Sequence, residues 1–152
     1  MPRRARRELP DGLFHVTARG LCEGLLFIDD DDRRTFLWLL GEVASRYKLR
    51  CHAYCLMSTH YHLLLECRTA VLSPTMRRLN GRYARRYNDR HERFGHVFGE
   101  RYTSFVIRDE DHYEEVMRYI AENPVKAGVC AAVEDWPWTW IETNLDSQRL
   151  AS

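Results

Sequence analysis

Two strand-like runs, 50–57 and 61–67, lie almost end to end in this chain, with Ser58-Thr59 as the only turn-like material between them. Such a pair predicts a β-hairpin. A helix-period run precedes it: Phe36, Leu37, Leu40, Val43, Ala44 and Tyr47 follow four acids at 29–32 that suit a helix N-terminus, so this helix should reach about Lys48. A second such run follows it, with Met76, Leu79, Tyr83 and Tyr87 at steps of three and four. Ser73-Pro74 reads as its opening, a cap followed by proline at the first helical position. Shorter strands are expected at 13–18 and 102–107. Asp109 should cap a last helix that stops at the Asn123-Pro124 step. The tryptophans at 136, 138 and 140 are expected to close the ordered part as an aromatic lid.

The resulting order is β-α-β-β-α-β-α. Its first six elements have the ferredoxin-like, split β-α-β order, so the expected fold class is α+β. That sandwich puts both crossover helices on one face of the sheet and leaves the other face for a site or for the last helix. A chain of 152 residues with 45% apolar residues has material for one such domain. The expected organisation is a basic arm at 1–7, a domain at 8–141 and a flexible tail at 142–152.

No apolar run approaches the roughly 20 residues that cross a bilayer, and the basic N-terminus lacks a signal-peptide stretch. The expectation is a cytoplasmic protein with no membrane partner. The five cysteines form no dense pattern, which suits reduced thiols. Net charge is only +1, but it is unevenly spread. Residues 68–108 hold ten arginines against three acids, and residues 109–152 hold ten acids against three bases. Separated basic segments can bind a polyanion in a near-neutral protein. The candidate contacts are Arg3, Arg4, Arg6 and Arg7 of the arm and Arg77, Arg78, Arg82, Arg85 and Arg86 of the second long helix. Tyr83, Tyr87 or the tryptophans could stack on unpaired bases. A solvated helix face accounts for each arginine equally well.

His60-Tyr61-His62 begins the second hairpin strand. Alternation puts both imidazoles on one face, with Tyr61, Leu63 and Leu65 on the other, toward the crossover helices. Two histidines so spaced can grip a divalent ion, although the motif alone more often marks ordinary polar surface. In the last helix, Tyr119 and Asn123 are i and i+4 on one flank of the apolar stripe Tyr113, Val116, Met117 and Ile120. Packed across the open sheet face, that flank could bring a phenol and an amide oxygen to the histidines. Spacing alone leaves open the plainer reading, in which Tyr119 is a boundary residue and Asn123 a helix stop. Cys51 and Cys55, placed on one strand face, offer a further reading as zinc ligands with the histidines.

Several blocks together resemble a known family. Met57-Ser58-Thr59-His60-Tyr61-His62-Leu63-Leu64-Leu65 is similar to the H-U-H strand of single-stranded-DNA transposases, in which U is a bulky apolar residue. The stretches starting Phe14-His15-Val16-Thr17, Leu79-Asn80-Gly81-Arg82 and Gly95-His96-Val97-Phe98 resemble the REP-associated tyrosine transposases, as do Arg118-Tyr119-Ile120-Ala121-Glu122-Asn123-Pro124 and Asp135-Trp136-Pro137-Trp138. The resemblance runs over about residues 8–141. It implies a metal-dependent endonuclease and strand transferase acting on single-stranded DNA that carries a REP-like hairpin. His60 and His62 would hold Mg²⁺ or Mn²⁺ with Asn123 as third ligand, and Tyr119 would form a 5′-phosphotyrosine. The alternative is a catalytically idle binder of structured nucleic acid. Monomer and homodimer are both compatible with the sequence. Two departures stand out: no proline precedes His60, where the family pattern has one two residues before, and the U position is the large, polar Tyr61.

Overall fold

The structure, a computed structural model, describes residues 12–142. The basic arm, with Arg3, Arg4, Arg6 and Arg7, lies outside the described residues, as does the tail beyond Glu142.

Five strands form one antiparallel sheet: β1 (Leu13–Arg19), β2 (Arg50–Leu56), β3 (His60–Glu66), β4 (Thr103–Val106) and β5 (Thr139–Ile141). Their spatial order is β4-β1-β3-β2-β5. The first four strands have the expected ferredoxin-like arrangement. The helices α1 (Asp30–Tyr47) and α2 (Thr69–His91) cover one face, and α3 (Glu110–Lys126) crosses the other.

The period-2 pattern of β3 sorts the two layers. Tyr61, Leu63 and Leu65 join Val16, Phe36, Leu39, Met76, Leu79 and Tyr83 in the larger core. Leu64 joins Leu13, Ala53, Cys55, Val116 and Ile120 beneath α3. The α1 start is fixed by Asp29, whose carboxylate accepts the Asp32 N–H at 3.1 Å. Asp109 does the same for α3, accepting the His112 N–H at 2.7 Å. Arg90 near the end of α2 bonds Asp29 and Asp32 at 2.6 and 2.7 Å, clamping the two crossover helices together.

Four expectations are corrected. First, α2 starts at Thr69, so Pro74 lies inside it and Ser73 is not its cap. The first turn is tightened by a Val71 N–H to Arg68 C=O bond of 2.9 Å. Pro74 removes the one helical hydrogen bond that an N–H there would have given to the Ala70 carbonyl.

Second, α3 runs through Pro124 to Lys126 and ends before Gly128, whose φ is +75°. Asn123 is therefore a helical residue that presents its side chain one turn beyond Tyr119.

Third, the tryptophan segment contributes a strand, β5, to the edge of β2. Trp136 donates its indole N–H to the Leu56 carbonyl at 3.1 Å, and Trp140 stacks on Tyr54 at 5.9 Å.

Fourth, β2 bulges at His52, where the register shifts between Cys51 and Ala53. The extra residue turns Cys51 toward the α1–α2 layer and leaves Cys55 beneath α3, opposite His62. The two thiols thus lie on opposite faces, against the zinc reading. The bulged His52 ties three elements together. Its Nε2 is 2.6 Å from Glu66, and its Nδ1 lies 2.9 Å from the Tyr113 hydroxyl and 3.1 Å from Glu142.

Candidate active site

Register in the β1–β3 pair places Thr17 opposite His62 and Arg19 opposite His60. Both histidines point to the α3 side, as alternation requires. On the same face of β1, His15 sits diagonally across from His62. Its Nε2 is 3.1 Å from His62 Nδ1, and the two rings meet edge to edge, with centroids 5.3 Å apart and an interplanar angle of 28°. The His60 ring stands perpendicular to His62 at 5.2 Å, and its Nδ1 is 3.1 Å from the Thr59 hydroxyl.

Into this cluster α3 lowers Tyr119, edge-on to His62 at 5.4 Å and to His15 at 5.9 Å. Asn123, one turn later, hydrogen-bonds His60. The Lys126 ammonium lies 5.9 Å from the centre of the Tyr119 ring. His62 is 4% exposed and Tyr119 is 43% exposed, so the phenol stands at the open mouth of a cluster whose floor is closed to water.

Burial controls the charge of the cluster. It pushes His62 down to about 3, with help from His15, His60 and Arg19, and pushes His15 down to about 4, with help from His112. His60 is lowered mainly by burial, then by Arg19, against the opposing hydrogen bond to Asn123. All three rings are neutral at pH 7, which is the state that ligates a metal. His62 turns its Nδ1 to His15 and keeps its Nε2 for a cation, whereas His60 is bonded both to Thr59, at Nδ1, and to Asn123, so a cation on His60 would take the place of one of these two contacts. Two imidazoles and an amide oxygen make a donor set suited to a small divalent ion with open positions for water or phosphate.

The structure thus brings His60, His62, Tyr119 and Asn123 together. It does not bring the α2 arginines to them, because α2 lies on the opposite face of the sheet. Arg82 and Arg86 sit over the half-exposed Trp38 ring at 5.8 and 4.9 Å, and Arg82 also bonds Glu42 at 2.8 Å. With Arg85 they line a groove between α1 and α2. Arg77 lines a different groove of about 720 Å³ with Asn80, His96, Arg101 and Tyr102. That groove is bounded by the segment in which Gly99 N–H bonds the Arg19 carbonyl. Tyr83 and Tyr87 are buried, with their hydroxyls on the carbonyls of Leu26 and Leu25 at 2.5 and 3.0 Å, so neither can stack on a base. His15 carried no role in the sequence. The signal that could have found it was β1–β3 adjacency in the ferredoxin-like order, which puts alternate β1 residues on the histidine face.

The comparisons with known proteins agree with this fold. The profile of the family described as "Transposase IS200 like" matches residues 22–123, a span that contains His60, His62, Tyr119 and Asn123. The chain belongs to this family of transposases. A relative from Haemophilus influenzae, named "Putative REP-associated tyrosine transposase", is 26% identical over 150 residues, covering 87% of this chain and 85% of its own length. Among solved structures, a REP-associated tyrosine transposase bound to a REP hairpin superposes with a TM-score of 0.73 at 18% identity, over 91% of this chain and 82% of that one. A "putative transposase" from Deinococcus radiodurans gives 0.55 at 20% identity, over 80% of this chain and 96% of that one. No helix among the described residues is long and apolar enough to cross a membrane.

Proposed function

We propose that this transposase-family protein is a metal-dependent endonuclease and strand transferase for single-stranded DNA that carries a hairpin, with Tyr119 as its nucleophile. The observation that carries the reading is the convergence of Tyr119 from α3 on the paired imidazoles of β3, with Asn123 one turn further on beside His60. His60, His62 and Asn123 would hold Mg²⁺ or Mn²⁺, which when bound supplies positive charge against a scissile phosphate.

The chain's own groups do the rest. Tyr119 Oη attacks phosphorus and displaces the 3′-oxygen of the neighbouring nucleotide. The phenolic proton leaves to solvent, and the departing oxygen takes one up to become a 3′-hydroxyl. The 5′-phosphate remains esterified to tyrosine, so another 3′-hydroxyl can reverse the step and join strands. Lys126 and Arg19 supply positive charge beside the phosphate position.

A phosphate inside a duplex is hard to align in line with Tyr119, which favours an unpaired strand at the site. The hairpin is favoured by the likeness to the hairpin-bound REP-associated transposase. The groove at Arg77 and Arg101 is a candidate seat for its backbone. Arg78, Arg82, Arg85 and Arg86 remain candidates for more distant phosphates.

The test is cleavage of end-labelled oligonucleotides with a hairpin and a single-stranded flank, in Mn²⁺ and in EDTA. Expected are a shorter fragment and a protein–DNA adduct that survives denaturation, both absent in EDTA and in Tyr119→Phe. Salt-sensitive binding without cleavage, across a varied set of hairpins, would instead support the idle nucleic-acid binder.

A further inference from the structure

An imidazole ligates through a nitrogen that carries no proton. Each ligating ring must therefore hold its proton on the other nitrogen and place it on an acceptor. Among the described residues, His62 has one hydrogen-bond partner for that proton. Its Nδ1 is 3.1 Å from His15 Nε2, and at 4% exposure no bulk water can take that place. The ring planes differ by only 28° and the centroids are 5.3 Å apart, a separation that sets the rings edge to edge and keeps the two nitrogens in line.

We infer that His15 is the positioning residue of this site: its Nε2 accepts the Nδ1–H of His62 and so holds the His62 Nε2 lone pair toward the cation. The inference rests on the reading of His60 and His62 as cation ligands. Thr59 stands in the same relation to His60, with its hydroxyl 3.1 Å from His60 Nδ1. The two contacts differ in security. Thr59 is a neighbour on the turn, whereas His15 is held by the β1–β3 register and by the Tyr119 edge packed on its ring. His15 acts through His62 and does not itself face the cation. The opposite proton arrangement, with His15 donating to His62, would leave a proton on His62 Nε2 and block ligation there.

The full-length chain tests this in two ways. Long-range ¹⁵N–¹H correlation spectra of the metal-free protein at pH 7.5 report the tautomer of each histidine. His62 is expected as the Nδ1–H form, and an Nε2–H form overturns the inference without reference to any metal. Calorimetric Mn²⁺ binding then compares wild type, His15→Phe and His15→Gln, with near-ultraviolet circular dichroism as the control for folding. His15→Phe removes the acceptor and is expected to weaken Mn²⁺ by about 10- to 100-fold, the usual effect of losing a partner behind a metal-bound histidine. His15→Gln keeps an acceptor oxygen at a similar reach and is expected to restore most of that loss. Wild-type affinity in a folded His15→Phe, or in His15→Gln a loss as large as in His15→Phe, overturns the inference while leaving the ligand reading intact. A wild-type protein that takes up no Mn²⁺ overturns the ligand reading, and the inference with it.

Discussion

Tyr61 shows how one side chain can face away from the histidine cluster and still hold its strand in place. Its ring packs 4.7 Å from Phe36, and its hydroxyl donates to Asn80 Oδ1 at 2.6 Å, joining β3 to both crossover helices. That bond accounts for a polar aromatic residue between the two histidines: Asn80 on α2 satisfies the hydroxyl that an apolar residue would lack. Tyr61→Phe should therefore lower stability by about 1 kcal/mol, the net worth of a lost hydrogen bond. Phe36→Ala should cost about 3–5 kcal/mol through the cavity it opens. Urea denaturation of both variants checks the ranking, and equal midpoints would contradict it. The sequence showed which face each residue of His60-Tyr61-His62 takes, because a strand alternates. It did not show the His15 contact, which depends on which β1 residue meets which β3 residue across 47 positions of chain.

Among the elements, α3 matters most to the proposed function, because a single helix carries Tyr119 and Asn123 and its angle over the sheet sets their reach. Two anchors fix it. Asp109 caps its start, and one turn in the Tyr113 hydroxyl meets the His52 bulge. Asp109→Ala should cost about 1 kcal/mol, the ordinary loss for an N-cap. Amide hydrogen exchange should quicken over residues 110–113 while α1 and α2 remain protected. Exchange that quickens equally in all three helices would contradict a local role.

The cap was legible, since an Asp before an amphipathic run is a chemical signal. The bulge was not, because one extra residue leaves no mark on composition. The β5 strand was missed because three residues set among tryptophans and a proline carry little strand periodicity. It forms because β2 offers it an unpaired edge.

At the scale of the whole molecule, the sheet separates two chemistries: arginine-rich grooves on the α1–α2 side and a neutral imidazole cluster beneath α3. The cluster has a consequence for stability. His15 and His62 lie at about 4 and about 3 in the fold against 6.5 for a free histidine. Above pH 6.5 neither state is protonated and the contribution is flat. As pH falls from 6.5 toward about 4, the unfolded chain takes up protons that the folded chain refuses. Stability should fall by up to about 1.4 kcal/mol per pH unit for each histidine. Urea midpoints at pH 7.5, 6.5 and 5.5 should drop less in His62→Phe than in wild type, and parallel profiles would contradict the burial of a neutral His62. The ferredoxin-like order was readable because a hairpin between two helical runs admits few topologies. The charge segregation was readable only in part: the arginine count is in the sequence, but the face that bears the arginines is a property of packing.

In the proposed reaction Tyr119 carries the DNA. Trypsin cuts after Arg118 and Lys126, so Tyr119 falls in the peptide 119–126 and Tyr113 in the peptide 109–118. The measurement is mass spectrometry of the tryptic and nuclease-trimmed adduct formed with a hairpin oligonucleotide and Mn²⁺. A nucleotide-phosphate mass is expected on peptide 119–126 alone. The same mass on peptide 109–118, or cleavage with no modified tyrosine peptide at all, would contradict it.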